Sequence, residues 1–281
     1  MKLCAYGNER KIGVLDSDDK VHQIKLPSNV RDMKDLISTY SPAIKKAASL
    51  SLKRQAVKGA KLEAPLAETS AIWAAVKNYS EHAKEMAAGR GAEQLAYAEK
   101  AHEEMLSELF LKPPTSMVGP NATVTIPSRS KWVDFECELG VVIGKSVVKA
   151  LPRERALDCV FGYTIMYDIT QRDPLGSRSL RKGYRGFTPM GPCIVTKDEV
   201  EDPQNLSIKV LLNGKPQMDG STSGMICRID EIIAYLSETS GLAVGDVIST
   251  GTPAGVSRIQ AGDTLEATIE KIGNLNIKIS A

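Results

Sequence analysis

Val133-Asp134-Phe135-Glu136-Cys137-Glu138-Leu139-Gly140-Val141-Val142-Ile143-Gly144 is the stretch that says most about the fold of this chain. Its apolar and β-branched residues predict a β-strand. Residues two apart on a strand point to the same face, so the carboxylates of Glu136 and Glu138 should project together. Two such charges repel unless something positive lies between them, and a hard divalent cation is the natural partner. An exposed Glu-x-Glu needs no ion, so the rest of the chain must decide.

Asp168 follows a second apolar run, residues 162–167, which also predicts a strand. A carboxylate at the end of that strand could complete a three-carboxylate oxygen site for a divalent ion. An Asp in this position could equally cap the following turn. Taken alone, the residue does not separate the two interpretations.

His82 and Glu85 form a candidate catalytic pair. At positions i and i+3 of a helical turn the two side chains face the same way. A carboxylate beside an imidazole fixes its tautomer and raises its basicity, as a general base requires. A surface histidine with a helix-stabilising acid is the commoner origin of such spacing.

Basic residues are concentrated in one Gly-rich segment, which predicts a loop: Arg172, Arg178, Arg181, Lys182 and Arg185. Beside a metal, such a loop could hold a carboxylate-bearing substrate. A solvated basic loop is the alternative for most of these side chains. Lys182 is the one we single out.

The composition restricts the class of protein. The chain has 281 residues, 42% hydrophobic and 25% charged, with a formal net charge of +2 and 5% aromatic residues. These values predict a globular protein with no role in nucleic-acid binding. Five cysteines without metal-type spacing predict reduced thiols, and no segment approaches the ~20 apolar residues of a membrane span. We therefore expect a cytoplasmic protein without a membrane partner.

The pattern along the chain predicts an α+β fold that is mainly β. Residues 1–65 are expected to form a small N-terminal domain, with three strands and a helical stretch over 29–60, and residues 66–281 the main domain. Strand patterns dominate from Ile72 onward, except for a helix predicted over 91–111. The boundary is placed in the segment 61–70.

Several short motifs occur together and in order. They are Asn78-Tyr79-x-x-His82-x-x-Glu85-Met86, Lys112-Pro113-x-Thr115-Ser116, Asp134-Phe135-Glu136-x-Glu138-Leu139, Gly162-Tyr163 through Asp168 to Arg172-Asp173, Phe187-Thr188-Pro189-x-Gly191-Pro192, and Gly245-Asp246-Val247-Ile248-x-Thr250-Gly251-Thr252-Pro253-x-Gly255. From about Ala71 to the C-terminus, this ordered set resembles the fumarylacetoacetate hydrolase superfamily, in particular its bacterial acylpyruvate hydrolases and 2-hydroxyhepta-2,4-diene-1,7-dioate isomerases. Each motif alone is weak evidence, and the order makes the set specific.

The resemblance implies a mixed β-sandwich roll with a small N-terminal β/α domain, usually a homodimer. It implies Mg²⁺ or Mn²⁺ at Glu136, Glu138 and Asp168. It implies that His82 and Glu85 activate water on a segment that often orders as a lid, and that Lys182 faces the substrate oxyanion. Arg172, Gly251 and Thr252 are expected to bind substrate.

The predicted reaction is hydrolysis of a carbon–carbon bond in a 2,4-dioxo acid, with the metal acting as a Lewis acid toward the leaving enolate. Decarboxylation of a 2-oxo acid such as oxaloacetate, or isomerisation of a hydroxymuconate-type diacid, could use the same site. The chain departs from several relatives at Leu175, where they carry Gln, and in the long stretch between Met86 and Lys112. Both departures bear on which acyl tail fits.

Overall fold

The computed structural model describes residues 1–66, 69, 71–87, 102–173 and 176–281. The strands in these residues are β1 (Lys2–Tyr6), β2 (Lys11–Leu15), β3 (Val21–Gln23), β4 (Leu62–Glu63), β5 (Ile72–Ala74), β6 (Phe110–Lys112), β7 (Met117–Val118), β8 (Thr123–Thr125), β9 (Val133–Phe135), β10 (Cys137–Ile143), β11 (Val160–Tyr167), β12 (Thr170–Gln171), β13 (Thr188–Thr196), β14 (Ser207–Leu212), β15 (Lys215–Ser221), β16 (Val247–Ser249), β17 (Ser257–Ile259), β18 (Thr264–Ile269) and β19 (Gly273–Ser280). The α-helices are α1 (Met33–Ser38), α2 (Pro42–Ser51), α3 (Ser80–Ala87), α4 (His102–Ser107), α5 (Arg153–Ala156), α6 (Arg178–Lys182) and α7 (Ile229–Thr239). None of the described helices is long and apolar enough to cross a membrane.

The strands form three sheets. The largest has the order β3-β2-β1-β13-β11-β10-β16-β5-β6, with β4 paired to β1 and β7 paired to β13. A five-stranded sheet has the order β15-β14-β18-β19-β8, and a small sheet has the order β12-β9-β17. The predicted fold class, mainly β with helices and several sheets, is confirmed.

The N-terminal strands extend the large sheet of the main body. β1 pairs antiparallel with β13, placing Leu3 opposite Ile194. Helices α1 and α2 cover one face of this sheet through a shared apolar cluster, which contains Leu36 and Ile44 of the helices and Val142 of β10. The division at residue 65 stays a prediction, and the contacts tie the two parts together through a common sheet.

The central strands β10 and β11 are buried on both faces. Every residue of both strands is buried, which explains why their sequences read as continuous apolar runs rather than as an alternation. Antiparallel pairing places Glu138 opposite Met166 and Cys137 opposite Tyr167. Extending this register by one residue brings Asp168 beside Glu136, and the Asp168 N–H donates to the Glu136 carbonyl at 2.9 Å.

The predicted single strand over residues 133–144 is interrupted. The chain leaves the large sheet at Glu136, and β9 pairs instead with β12 and β17 of the small sheet. The partner strand breaks at the same level, since β11 ends at Tyr167 and β12 begins at Thr170. Glu136 and Asp168 therefore lie where two neighbouring strands cross from one sheet to another.

The helix assignments from sequence were partly wrong. The stretch 29–60 forms two short helices, and the linker 61–70 contains β4. Residues 110 and 111, the last two of the predicted 91–111 helix, belong to β6. Residues 91–101 of that helix lie outside the described residues. Within the described part of the segment, α4 covers 102–107.

Three of the described helices were missed, the four-residue α5 and the longer α6 and α7. The basic segment predicted as a loop contains α6, which begins after Ser177, whose Oγ accepts from the Leu180 N–H at 3.4 Å. The strand-rich C-terminal half contains α7, an 11-residue amphipathic helix with Ile229, Ile232, Ile233 and Leu236 buried on one face. The apolar residues of α7 recur with a helical period, but the neighbouring sequence has strand patterns, and the helix was not predicted.

Candidate metal centre and active site

Three buried carboxylates converge at the crossing between the sheets. Glu136, Glu138 and Asp168 each offer one oxygen such that the three atoms lie within 4.8 Å of one another. Their exposed fractions are 7%, 0% and 1%. The predicted grouping of these three residues is thus present in the structure. Contrary to the prediction, Glu136 and Glu138 do not lie on one continuous strand, because the strand is interrupted at Glu136.

Glu138 has one satisfied and one orphaned oxygen. Its Oε2 accepts from the Ser249 hydroxyl at 2.7 Å and from the Gly251 N–H at 2.6 Å. Its Oε1 is buried and has no hydrogen-bond partner among the described residues. Burial, followed by the negative charges of Asp168 and Glu136, raises the pKa of Glu138 to about 8. The orphaned oxygen and the repulsion both call for a cation.

Three cationic side chains surround the other two carboxylates. Lys182 donates to Glu136 at 2.9 Å and to Asp168 at 2.5 Å. Arg172 donates to Glu136 at 2.5 Å and to Asp134 at 2.7 Å, and Lys112 donates to Asp168. Burial alone would raise the pKa of Glu136, but Lys182, Arg172 and His82 outweigh it and leave the pKa well below its usual range.

The donor set fits a hard divalent cation. All three groups are carboxylates, as Mg²⁺ and Mn²⁺ prefer, and each carboxylate oxygen can accept from more than one direction. With Asp134 included, four carboxylates face three cationic side chains. A divalent ion would add two positive charges to this network, which favours binding of an anionic ligand.

Lys112 is a member of this network that sequence reasoning did not assign. The side chain is 1% exposed, and its ammonium donates to Asp168 and, at 3.0 Å, to the Phe187 carbonyl. Burial lowers the pKa of Lys112, and the negative charge of Asp168 opposes that shift. The motif that contains Lys112 is part of the family resemblance, but the sequence does not indicate that the side chain of this lysine is buried.

His82 and Glu85 lie on α3 with the expected geometry. His82 Nδ1 is 3.4 Å from Glu85 Oε2, and His82 is 4% exposed. Glu85 also accepts from the Gly255 N–H at 3.2 Å. Burial would raise the pKa of Glu85, but the hydrogen bonds from His82 and Gly255 leave it below its ordinary value. Glu85 therefore connects the imidazole to the loop 251–255.

The start of α3 is fixed by Asn78. Its Nδ2 donates to the Cys227 and Thr250 carbonyls at 2.9 and 2.8 Å, and its Oδ1 accepts from the Cys227 N–H at 2.7 Å. Gly251 has φ +88°, and a Cβ there would lie 2.8 Å from the Asn78 Cβ. This close approach requires glycine.

A cavity of about 260 Å³ lies beside Glu136. Its described lining contains Ala75, Val76, Lys77, His82, Phe110, Glu136, Thr170, Arg172, Arg178, Arg181 and Lys182. The cavity thus brings together His82, Lys182 and Arg172 with Glu136, one of the three converging carboxylates. The lining is cationic, as an acid-binding site requires.

Gly251 and Thr252 are absent from the described lining of this cavity. The Gly251 N–H contacts Glu138, and Thr252 Oγ1 accepts from the Cys137 N–H at 3.2 Å. Both contacts are to residues of β10. Direct substrate binding by Gly251 and Thr252 stays a prediction. Leu175 lies outside the described residues.

The fold and this centre together define a class: a mainly β protein with a buried three-carboxylate site beside a His–Glu pair. The model of the fumarylacetoacetate (FAA) hydrolase C-terminal family matches residues 71–280. The chain belongs to the fumarylacetoacetate hydrolase family. The resemblance inferred from the ordered motifs is confirmed.

Characterised relatives cover the whole chain. A maleylpyruvate hydrolase of Aquipseudomonas alcaligenes is 33% identical over 288 aligned residues, covering 99% of each chain. The crystal structure of maleylpyruvate hydrolase from Sphingobium sp. SYK-6 in complex with manganese(II) ion and pyruvate is 28% identical, with a TM-score of 0.81 over 100% of this chain and 99% of that one. The 2-hydroxyhepta-2,4-diene-1,7-dioate isomerase of Mycobacterium marinum is 28% identical, with a TM-score of 0.75 over 100% and 98%.

Proposed function

We propose that this protein is a divalent-metal-dependent hydrolase that cleaves a carbon–carbon bond in a 2,4-dioxo acid to give a 2-oxo acid and a carboxylic acid. The observation that carries the proposal is the placement of a His–Glu pair at the cavity beside Glu136, one of three converging carboxylates. Similarity to a maleylpyruvate hydrolase over the full length supports the same chemistry.

Glu136, Glu138 and Asp168 would hold Mg²⁺ or Mn²⁺. The bound ion would supply Lewis-acid stabilisation of the negative charge that develops at the 2-oxo acid end of the substrate. Arg172, which donates to Glu136, can bind an oxygen of that end.

His82 is proposed to be the general base. With Nδ1–H directed at Glu85, Nε2 is left basic and can accept a proton from water. The hydroxide oxygen then bonds to the C4 carbonyl carbon, and Lys182 stabilises the oxyanion. The oxyanion collapses to the carboxylic acid as the C3–C4 bond breaks, and the electron pair of that bond stays with C3. The proton that His82 accepted is returned to C3, which completes the 2-oxo acid.

Isomerisation of a hydroxymuconate-type diacid is the second candidate. It is favoured by the similarity to the Mycobacterium marinum isomerase. An isomerase moves a proton between carbon atoms and needs no activated water. The Glu85-oriented histidine at the cavity is the feature that favours hydrolysis.

The test is turnover of a panel of acylpyruvates by the Mn²⁺-loaded protein, with oxaloacetate and a hydroxymuconate-type diacid in parallel. Loss of the enol–diketone ultraviolet absorbance with stoichiometric pyruvate would support hydrolysis. His82→Ala should lower kcat ~10²–10⁴-fold and leave Mn²⁺ affinity unchanged. Pyruvate from oxaloacetate alone, or isomerisation alone, would contradict the proposal.

A further inference from the structure

Arg172 is held by two buried carboxylates at once. Its Nε donates to Asp134 at 2.7 Å, and its Nη2 donates to Glu136 at 2.5 Å. Asp134 and Glu136 are 5% and 7% exposed, and the Arg172 side chain is 14% exposed. Of the two acids, only Glu136 belongs to the group of converging carboxylates. Asp134 therefore pairs with the arginine without being one of the three candidate metal ligands.

The position of Asp134 is set by contacts within β9, β12 and the residues that flank these strands. The Trp132 indole N–H donates to Asp134 Oδ1, and the Arg172 backbone N–H donates to the Trp132 carbonyl at 2.8 Å. Asp134 also pairs with Thr170 where β9 meets β12. None of these three contacts involves Glu136, so an ion bound to Glu136 would leave them in place.

Both oxygens of Glu136 accept hydrogen bonds from cations. Oε1 accepts from Arg172, and Oε2 accepts from Lys182 at 2.9 Å. A divalent ion bound to Glu136 would share one of these oxygens with a cationic side chain and would repel both cations at short range. The contact between Arg172 and Glu136 is therefore weakened when an ion binds.

This repulsion is less costly because Arg172 has a second acid. Burial would lower the pKa of Arg172, but the negative charges of Glu136 and Asp134 outweigh it. With Glu136 bound to an ion and no other acid, Arg172 would be a largely buried charge without a partner, which is strongly destabilising. With Asp134 present, the guanidinium keeps a charged hydrogen bond at 2.7 Å.

We propose that Asp134 is a positioning residue that keeps the Arg172 guanidinium paired at the cavity while a divalent ion occupies Glu136. Asp134 acts through Arg172, which lines the cavity, and does not bind the ion. The inference rests on the metal centre of the proposed function and adds a residue outside its ligand set. It requires nothing of the substrate or the reaction.

The test is a double-mutant cycle on Mn²⁺ binding, measured by calorimetry on the metal-free wild type, Asp134→Asn, Arg172→Met and the double variant. Asp134→Asn keeps the shape of the side chain and removes its charge, so Mn²⁺ affinity should fall about 10-fold. Arg172→Met removes a cation beside Glu136 and should bind Mn²⁺ at least as tightly as the wild type. In the Arg172→Met background, Asp134→Asn should weaken Mn²⁺ binding by less than about 2-fold, because the residue through which Asp134 acts is gone.

Asp173→Asn is the matched control. Asp173 accepts from Ser130 Oγ at 2.6 Å in the same part of the chain and forms no ion pair with Arg172 among the described residues, so Mn²⁺ affinity should stay within about 2-fold of the wild type. Trp132→Phe is a second variant, which keeps both charges and removes one donor to Asp134. Because Trp132 is 48% exposed, this variant should fold. It should weaken Mn²⁺ binding by a smaller factor that also disappears in the Arg172→Met background.

Equal losses of Mn²⁺ affinity on Asp134→Asn in both backgrounds would show that Asp134 acts only through its charge, and would overturn the proposal. Unchanged affinity in Trp132→Phe and Asp134→Asn, or in Trp132→Phe alone if Asp134→Asn did not fold, would overturn it as well. A protein that shows the expected coupling but cleaves no acylpyruvate would uphold the role of Asp134 and reject only the proposed reaction. No Mn²⁺ binding by the wild type would reject both.

Discussion

At the residue scale, Lys112 shows how buried charges hold the candidate centre in place. An ammonium group without water contact is costly unless it is paired and hydrogen-bonded. Lys112 meets this requirement through Asp168 and the Phe187 carbonyl, while Asp168 also accepts from Lys182. The orientation of the Asp168 carboxylate is therefore set by two buried lysines.

Removing Lys112 should destabilise the protein. In Lys112→Met, Asp168 loses one of its two buried donors, and we expect a loss of about 3–5 kcal/mol in the free energy of unfolding. In the double variant with Asp168→Asn the loss should be smaller than the sum of the single losses, by about 0.5–3 kcal/mol. Urea unfolding measures all four corners of this cycle. If the two losses in the free energy of unfolding were strictly additive, the two side chains would not interact. Lys145→Met, at an exposed position, is the control.

At the element scale, Glu136 and Asp168 are positioned by the ends of their strands, because each lies in the gap between two consecutive strands. Strand alternation and an apolar run ending in Asp are local signals that allow Glu136, Glu138 and Asp168 to form one site, and the resemblance carried by the ordered motifs implied that they do. The local sequence does not predict the break at Glu136, because the break results from the pairing of β9 with β12 and β17 in another sheet. The same holds for Ser249 and Lys112, whose contacts join segments 111 and 56 residues apart.

The fit between α3 and the loop 251–255 is another feature that only the structure reveals. Gly251 has φ +88° and lies against Asn78, whereas Gly214 has φ +73° with nothing within 4 Å of a Cβ. A left-handed conformation costs a non-glycine residue about 1–2 kcal/mol. Gly214→Ala should lose about that much in the free energy of unfolding.

Gly251→Ala should lose more than Gly214→Ala, because the added methyl group also meets Asn78 and displaces the N–H that contacts Glu138. Thermal unfolding compares the two variants, and a Mn²⁺ titration should show weaker binding only in Gly251→Ala. Equal losses with unchanged Mn²⁺ binding would mean that the loop adapts to the methyl group.

At the scale of the whole molecule, the N-terminal part is held to the main body by shared strands, a shared apolar cluster and a few polar contacts. One of these is the pair between Lys45 of α2 and Asp198, beyond the end of β13. The homodimer and the cytoplasmic location expected from sequence stay predictions. All five cysteines are free and buried. The sequence predicted reduced thiols and did not predict their burial.

The Lys45–Asp198 pair should contribute to stability in a pH-dependent way. Hydrogen bonds from Lys45 and Thr196 lower the pKa of Asp198 to about 2. A carboxyl whose folded-state pKa is depressed stabilises the fold above its unfolded pKa of about 4, and the contribution is lost as the pH falls toward 2. Both side chains are nearly half exposed, so the pair should contribute at most about 1 kcal/mol to the free energy of unfolding.

Asp198→Asn should therefore be less stable than the wild type at pH 6, with the difference vanishing near pH 2. A constant difference across this range would contradict the assignment.

The measurement that tests the account most directly is a Mn²⁺ titration of the metal-free protein by calorimetry, beside the Glu138→Gln variant. The wild type should bind one ion per chain, and Glu138→Gln should lose this binding. The metal-free unfolding temperature of Glu138→Gln should not fall, because burial and the neighbouring acids already disfavour the ionised form of Glu138. Glu266→Gln, on the exposed face of β18, should bind as the wild type does. Unchanged Mn²⁺ affinity in Glu138→Gln, or no binding by the wild type, would contradict the claim that these three carboxylates form the metal centre.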